Sequence, residues 1–132
     1  MPELANIAQA TILVIDDEPQ ITEIIDAFLS NSGYKVHVAN VAVNGLKLAK
    51  NIKPDVILLD IMMPDIDGYS ICNDLKNDAA TAKIPVVFLT GKDRNDDMGR
   101  SFKAGGDMFI KKPFSCERLL EILNIILLST KH

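Results

Sequence analysis

Five short apolar runs rich in β-branched residues alternate along the chain with segments of helical period, and this alternation restricts the fold more than any other feature. The runs are TILVI at 11–15, KVHV at 35–38, DVILL at 55–59, PVVFL at 85–89 and DMFIK at 107–111. The first, third and fourth are nearly continuous in apolar residues, the pattern of strands covered on both faces. Between the first two, Ile21, Ile24, Ile25, Phe28 and Leu29 fall at helical spacing, with Pro19 near the start and Gly33 just past the end. Weaker helical patterns cover 42–50, 68–77 and 94–104, and a strong one covers 115–129. Gly105-Gly106 closes the fourth pattern before the last strand.

Strands separated by helices pair in parallel through right-handed crossovers. The expected fold class is α/β, a flavodoxin-like doubly wound (βα)5 arrangement with a five-stranded parallel sheet of order 2-1-3-4-5. At 132 residues the chain has room for one ordinary domain. That domain is expected over 11–132, with 1–10 as a loosely ordered arm. A net charge of −4 gives no basic field for nucleic acid or anionic membrane. The start, MPELANIAQA, lacks the basic and apolar regions of a signal peptide, and no apolar run approaches a membrane span. Cys72 and Cys116 have no metal-ligand spacing and are too few for a disulfide framework, so both are expected as free thiols. These features together predict a cytoplasmic protein.

In an open α/β sheet, ligands bind outside the carboxyl ends of the strands, near the point where strand order reverses. The first strand ends in Asp16-Asp17-Glu18, the third in Asp60, the fourth in Thr90-Gly91 and the fifth in Lys111-Lys112-Pro113. These four strands are neighbours in the expected order, so their polar groups converge on one rim. The second strand ends in Val38-Ala39-Asn40 and is expected to contribute nothing comparable. Each group alone has an ordinary explanation. DDEP can cap a helix, PDIDG can make a turn, and Thr90 and Lys112 can be solvated strand ends. Four neighbouring strands supplying such groups at the same end is a different matter, and that coincidence marks a site.

Two carboxylates about 4 Å apart repel by roughly 4 kcal/mol at an effective dielectric of about 20. Several together require a proton or a cation. An oxygen-only set without His or Cys suits a hard divalent ion, here expected to be Mg²⁺. Lys112 and Thr90 beside it can hold the oxygens of a transferring phosphoryl group. A carboxylate in that setting can itself be the nucleophile, and Asp60 on the central strand is the candidate. Met62 and Met63 occupy an acid-rich loop without Cys or His, so Met63 is expected to pack rather than bind a soft metal. His37 alternates with valines in the second strand and is expected to be half-exposed, and His132 carries no signal.

Four segments now stand in register: VIDDEP at 14–19, LLDIMMPDIDG at 58–68, VVFLTG at 86–91 and GGDMFIKKPF at 105–114. With these the chain resembles the receiver domain of two-component response regulators over about 11–129, in particular the stand-alone, chemotaxis-regulator-like type. The resemblance implies that Asp60 is the phosphoacceptor, taking a phosphoryl group from a phosphohistidine on a sensor kinase or phosphotransfer protein. It implies Asp17 as a direct Mg²⁺ ligand, Asp16 as one acting through water, and the backbone carbonyl of Met62 beside them. It further implies that Lys112 pairs with Asp60 or its phosphoryl oxygen, that Lys111 is a bystander, and that the Lys112–Pro113 bond is cis. The resemblance also implies that Thr90 and Phe109 form the switch, Thr90 moving to the phosphoryl group and Phe109 turning inward. Phe109 lacks the hydroxyl that a tyrosine would carry at that position.

Such a domain signals through partner proteins and does not turn over an external substrate. The face built from the predicted helix at 94–104, the last strand and the last helix is the expected output surface. On the last helix, Leu119, Ile122, Leu123 and Ile126 form a core stripe flanked by Leu120 and Leu127. Ile125 and Leu128 fall on or beside its polar face. They read either as scattered exposed apolar residues or as a partner patch. The chain is expected as a monomer or a phosphorylation-dependent homodimer, without direct nucleic-acid or membrane binding. Two other readings are weaker. A haloacid-dehalogenase-like phosphohydrolase needs a second acid two residues after the nucleophile, where this chain has Met62. A flavin or nucleotide module needs a phosphate-cradling first loop, and DDEPQ is acidic.

Positions 62 and 92, here Met and Lys, are those that tune phospho-aspartate hydrolysis in the family. Met62 cannot hydrogen-bond an attacking water, so a long-lived phosphoryl state is expected. Met62→Asn should therefore speed loss of the phosphoryl group severalfold, measured as decay of the labelled protein; an unchanged rate would remove the role given to Met62.

Overall fold

A computed structural model describes residues 10–61, 63, 67–90 and 108–130 of the chain. The predicted helix at 94–104, Met62, Gly91, Lys92, Gly105-Gly106 and residues 1–9 of the expected N-terminal arm lie outside the described residues. The described residues include five strands: β1 (Thr11–Ile15), β2 (Lys35–Ala39), β3 (Val56–Asp60), β4 (Val86–Thr90) and β5 (Met108–Lys111). Among the described residues there are four helices: α1 (Pro19–Asn31), α2 (Ala42–Ile52), α3 (Gly68–Asn77) and α4 (Cys116–Thr130). All strand pairs are parallel and the order is β2-β1-β3-β4-β5, the doubly wound flavodoxin-like sheet expected from the alternation.

The inner strands β1, β3 and β4 are apolar on both sides because both sides are covered. Ile12, Val14, Val56, Leu58, Val87, Leu89 and Ile110 face α1 and α4, meeting Ile25, Leu29, Leu119, Ile122 and Leu123. Leu13, Ile15, Ile57, Leu59, Val86 and Phe88 face the other way, toward Ala42, Ala49, Ile71, Cys72 and Leu75 of α2 and α3. β3 and β4 are buried along their whole length, whereas the edge strand β2 alternates in exposure and turns His37 outward. Cys72 and Cys116 are free thiols. Helix ends follow local chemistry. Pro19 opens α1, Gly33 follows its cap with φ 101°, and α2 stops at Lys53 with φ 47° before Pro54.

Two strands sit one residue later than the apolar runs suggest. Pro85 has no N–H to give, so β4 begins at Val86, while the Pro85 carbonyl accepts from Ile57 N at 3.0 Å. Asp55 stands just before β3. Its amide donates to the Thr11 carbonyl, and its carboxylate accepts from Thr11 N, each at 2.8 Å. At the other end both ladders run on through the polar residues, with Asp60 opposite Leu89 and Thr90 opposite Lys111. Both candidates are thus strand residues, held by the sheet.

Gly45 lets α2 lie close to β1: a Cβ there would stand 2.6 Å from Ile15 Cδ1 and 2.8 Å from its Cγ1. Ile15 is fully buried and precedes Asp16 directly. Overpacking of about 1–3 kcal/mol should exceed the roughly 1 kcal/mol that alanine gains over glycine in a helix. Gly45→Ala is therefore expected to lower the unfolding midpoint in urea, and Ile15→Val, which removes the Cδ1 methyl, should restore part of the loss.

Candidate functional site

The rim is built from β1, β3, β4 and the segment after β5. Asp16 follows β1 and is fully buried; Asp60 and Thr90, the last residues of β3 and β4, are each 2% exposed. Asp16 Oδ1 accepts from Glu18 N at 3.0 Å, and its backbone N donates to Ala39 O at 3.1 Å. DDEP does not cap α1 by side chain: Glu18 is the N-cap and its carboxylate makes no cap hydrogen bond. Glu18 instead turns toward Lys112. Asp67 does behave as an ordinary cap, accepting from Tyr69 N at 2.9 Å at the start of α3. Gly68, next to it, is required by closeness. Its N donates to Ile61 O at 3.0 Å, and a Cβ would collide with the Asp60 carbonyl oxygen.

Asp16, Asp17, Glu18 and Asp60 each offer a carboxylate oxygen, and these oxygens lie within 4.8 Å of one another. Lys112 answers them. Its Nζ is 3.0 Å from Asp16 Oδ2, 3.5 Å from Asp60 Oδ1 and 3.6 Å from Glu18 Oε1. Burial alone would lower the Lys112 pKa. The hydrogen bond to Asp16 and the charges of Asp60, Asp16 and Glu18 outweigh it and hold the ammonium above the usual lysine value. The Lys112 amide also donates to the Thr90 carbonyl, and the Lys112–Pro113 bond is cis. Lys111 pairs with Thr90 in the ladder and is exposed. Phe109 is half-buried against the cluster that includes Phe88 and Tyr69.

The structure thus brings together Asp16, Asp17, Asp60 and Lys112, with Thr90 at the adjacent strand end. The expectation for β2 is corrected. Asn40, just past its end, donates from Nδ2 to the Asp16 carbonyl at 2.8 Å and to Thr22 Oγ1 at 3.1 Å. Nothing in the sequence marked it, because its acceptor is a backbone oxygen. Glu18 is the second addition, a carboxylate toward Lys112 where a helix cap was the ordinary expectation.

The oxygen-only donor set fits a hard cation. Four carboxylates against one ammonium leave uncompensated negative charge that an ion could neutralise. Among the described residues, every buried side-chain nitrogen and oxygen has a hydrogen-bond partner, so the rim is assembled without orphaned polar atoms.

The sequence profile described as "Response regulator receiver domain" matches residues 12–124. The chain belongs to this family. The receiver is 38% identical over 119 residues to the DNA-binding dual master transcriptional regulator RpaA of Synechocystis, covering 90% of this chain and 49% of that protein. It is 36% identical over 118 residues to protein PilH of Pseudomonas aeruginosa, covering 89% of this chain and 98% of that one. The chain thus spans about half the length of RpaA, as it does of Rre1 and TcrX. Among solved structures, a two-component response regulator from Clostridium difficile superposes with TM-score 0.88 at 26% identity, covering 94% of this chain and all of the other (100%). Chemotaxis protein CheY4 of Vibrio cholerae superposes with TM-score 0.86 at 25% identity, covering 89% of this chain and 98% of that one. The receiver is accordingly a component of two-component signalling. No helix among its described residues is long and apolar enough to cross a membrane.

Lys112→Met would leave the buried Asp16 carboxylate without its nearest cation. The expected loss without divalent ions is on the order of 3 kcal/mol, the scale for breaking a buried pair. Mg²⁺ should raise the melting temperature of Lys112→Met more than that of the wild type, a comparison made by thermal unfolding in chelator and in Mg²⁺.

Proposed function

We propose that this receiver accepts a phosphoryl group on Asp60, from a phosphohistidine of a sensor histidine kinase or phosphotransfer protein, and signals to partner proteins by a conformational switch. The observation that carries the reading is the Asp60 carboxylate. It is nearly buried on the central strand, inside the acid cluster and 3.5 Å from the Lys112 ammonium. Residues 11–132 act as one receiver domain on this reading. An Asp60 oxygen attacks phosphorus as the P–N bond of the donor breaks, and the imidazole leaves with the electron pair. Lys112 and Thr90 hold phosphoryl oxygens, and Lys112 neutralises the charge that develops on them. Asp16, Asp17, Asp60 and the Met62 carbonyl would hold Mg²⁺, with Glu18 nearby; when bound, the ion supplies further neutralisation of the phosphoryl oxygens. Because the acceptor is the protein's own side chain, no external substrate is turned over.

A groove of about 410 Å³ opens beside Lys112, lined by Glu18, Ile21, Ile24, Pro113 and Phe114 among others. It offers a phosphodonor protein an apolar surface next to the acids. On α4, Ile125 and Leu128 are 48% and 49% exposed, which supports a downstream protein target or a phosphorylation-dependent second copy on that side. Thr90 and Phe109 would carry the change outward through β5. The acidic balance argues against direct binding of nucleic acid or membrane by these residues and fits a cytoplasmic protein.

Incubation with acetyl phosphate, followed by a phosphate-affinity gel, tests the reading. Label is expected with Mg²⁺, is expected to vanish in chelator, and is expected to be absent from Asp60→Asn. Label persisting in Asp60→Asn would place the acceptor elsewhere.

A further inference from the structure

Asn40 and Thr22 make contacts that the proposed chemistry does not use. The Asn40 amide bridges the Asp16 carbonyl, at 2.8 Å, and Thr22 Oγ1, at 3.1 Å. The Thr22 hydroxyl in turn donates to the Pro19 carbonyl at 3.1 Å, within the first turn of α1. Thr22 is 2% exposed, so this hydroxyl is fixed inside the fold, while Asn40 reaches in from an exposed position. The chain of contacts spans the Asp16-Asp17-Glu18 segment from the end of β2 to the start of α1.

The bond that this chain grips is the peptide between Asp16 and Asp17. The carboxylate of Asp16 is already oriented by Glu18 N and by Lys112, and its own N–H by the Ala39 carbonyl. The Asp16 carbonyl belongs to the planar unit that ends at Asp17 Cα, so a hydrogen bond to that oxygen sets the direction in which Asp17 leaves the chain. Asp17 is half-exposed at the mouth of the acid cluster. We infer that Asn40, seated by Thr22, is a positioning residue that holds the Asp16–Asp17 peptide plane and thereby aims the Asp17 carboxylate at a divalent cation. This rests on reading the acid cluster as the receiver's metal site.

The test is calorimetric titration of Mg²⁺ into the wild type, Asn40→Ala, Thr22→Val and Thr22→Ser, with thermal melts of each in chelator. Asn40→Ala should weaken Mg²⁺ binding roughly three- to tenfold, at or below the usual effect of losing a group that orients a metal ligand. Thr22→Val, nearly isosteric but without the hydroxyl, should weaken it by a smaller factor, and Thr22→Ser should bind as the wild type does. The chelated melts should stay close together. Wild-type affinity in both Asn40→Ala and Thr22→Val would overturn the inference and leave the metal site standing. An equal loss in Thr22→Val and Thr22→Ser that tracks a fall in the chelated melts would also overturn it, because the effect would then be general loosening. A wild type that takes up no Mg²⁺ would overturn the metal-site reading and this inference together. Should Asn40→Ala fail to fold, the comparison of Thr22→Val with Thr22→Ser decides.

Discussion

The ion pair between Lys112 and the acids is the contact on which the carboxyl rim of the sheet depends. Four carboxylate oxygens within 4.8 Å of one another would push apart the strand ends that carry them. Lys112 prevents this from a position just after the outermost strand. Its ammonium reaches Asp16 beyond β1 and Asp60 on β3, while its amide donates to the Thr90 carbonyl of β4. One residue therefore ties together the ends of four strands. The contacts that hold the rim are the contacts of the site, so a change of charge there is also a change in what holds the strand ends.

Precision in this arrangement comes from the backbone. Asp55 and Pro85 start β3 and β4 one residue late, and the ladders then run through Asp60 and Thr90 instead of stopping short of them. A loop carboxylate can move with its backbone, whereas a central ladder fixes the Cα and Cβ from which the Asp60 carboxylate extends. Gly68 extends the same control to the other side of Asp60. Without a side chain there, α3 begins directly against the Asp60 carbonyl, and Asp67 caps that helix.

Much of this was legible in the sequence. Alternating apolar runs and helical periods implied parallel pairing, and parallel pairing put every strand's carboxyl end on one rim. Asp16, Asp17, Asp60, Thr90 and Lys112 could be collected from strand ends alone. The one-residue offsets were not legible, because Asp55 and Pro85 look like strand starts until their hydrogen bonds are known. Asn40 was invisible for a related reason. A polar residue after an edge strand is ordinary, and its partner, the Asp16 carbonyl, has no signature in any sequence. The sequence resemblance paired Lys112 with Asp60, whereas the shorter contact in the structure is to Asp16, 3.0 Å against 3.5 Å, a difference of distance that no sequence pattern carries. Met62 and the predicted helix at 94–104 lie outside the described residues, so those expectations stand on the sequence alone.

That preference gives direction to the proposed switch. In the structure described here, the ammonium lies nearer Asp16 than Asp60, while Asp16 is also held through its N–H by Ala39, through its carbonyl by Asn40 and through Oδ1 by Glu18 N. A phosphoryl group on Asp60 would add about one negative charge at the far end of the lysine's reach and draw the ammonium toward it. The β1 side is fixed by its hydrogen bonds and has little freedom to follow. The response then falls to the β4 and β5 side, where Phe109 is only half-buried on the outermost strand. On this reading the asymmetry of the site, with Asp16 held through its N–H, carbonyl and carboxylate and Phe109 half-buried on the outermost strand, determines which surface of the receiver reports the chemistry.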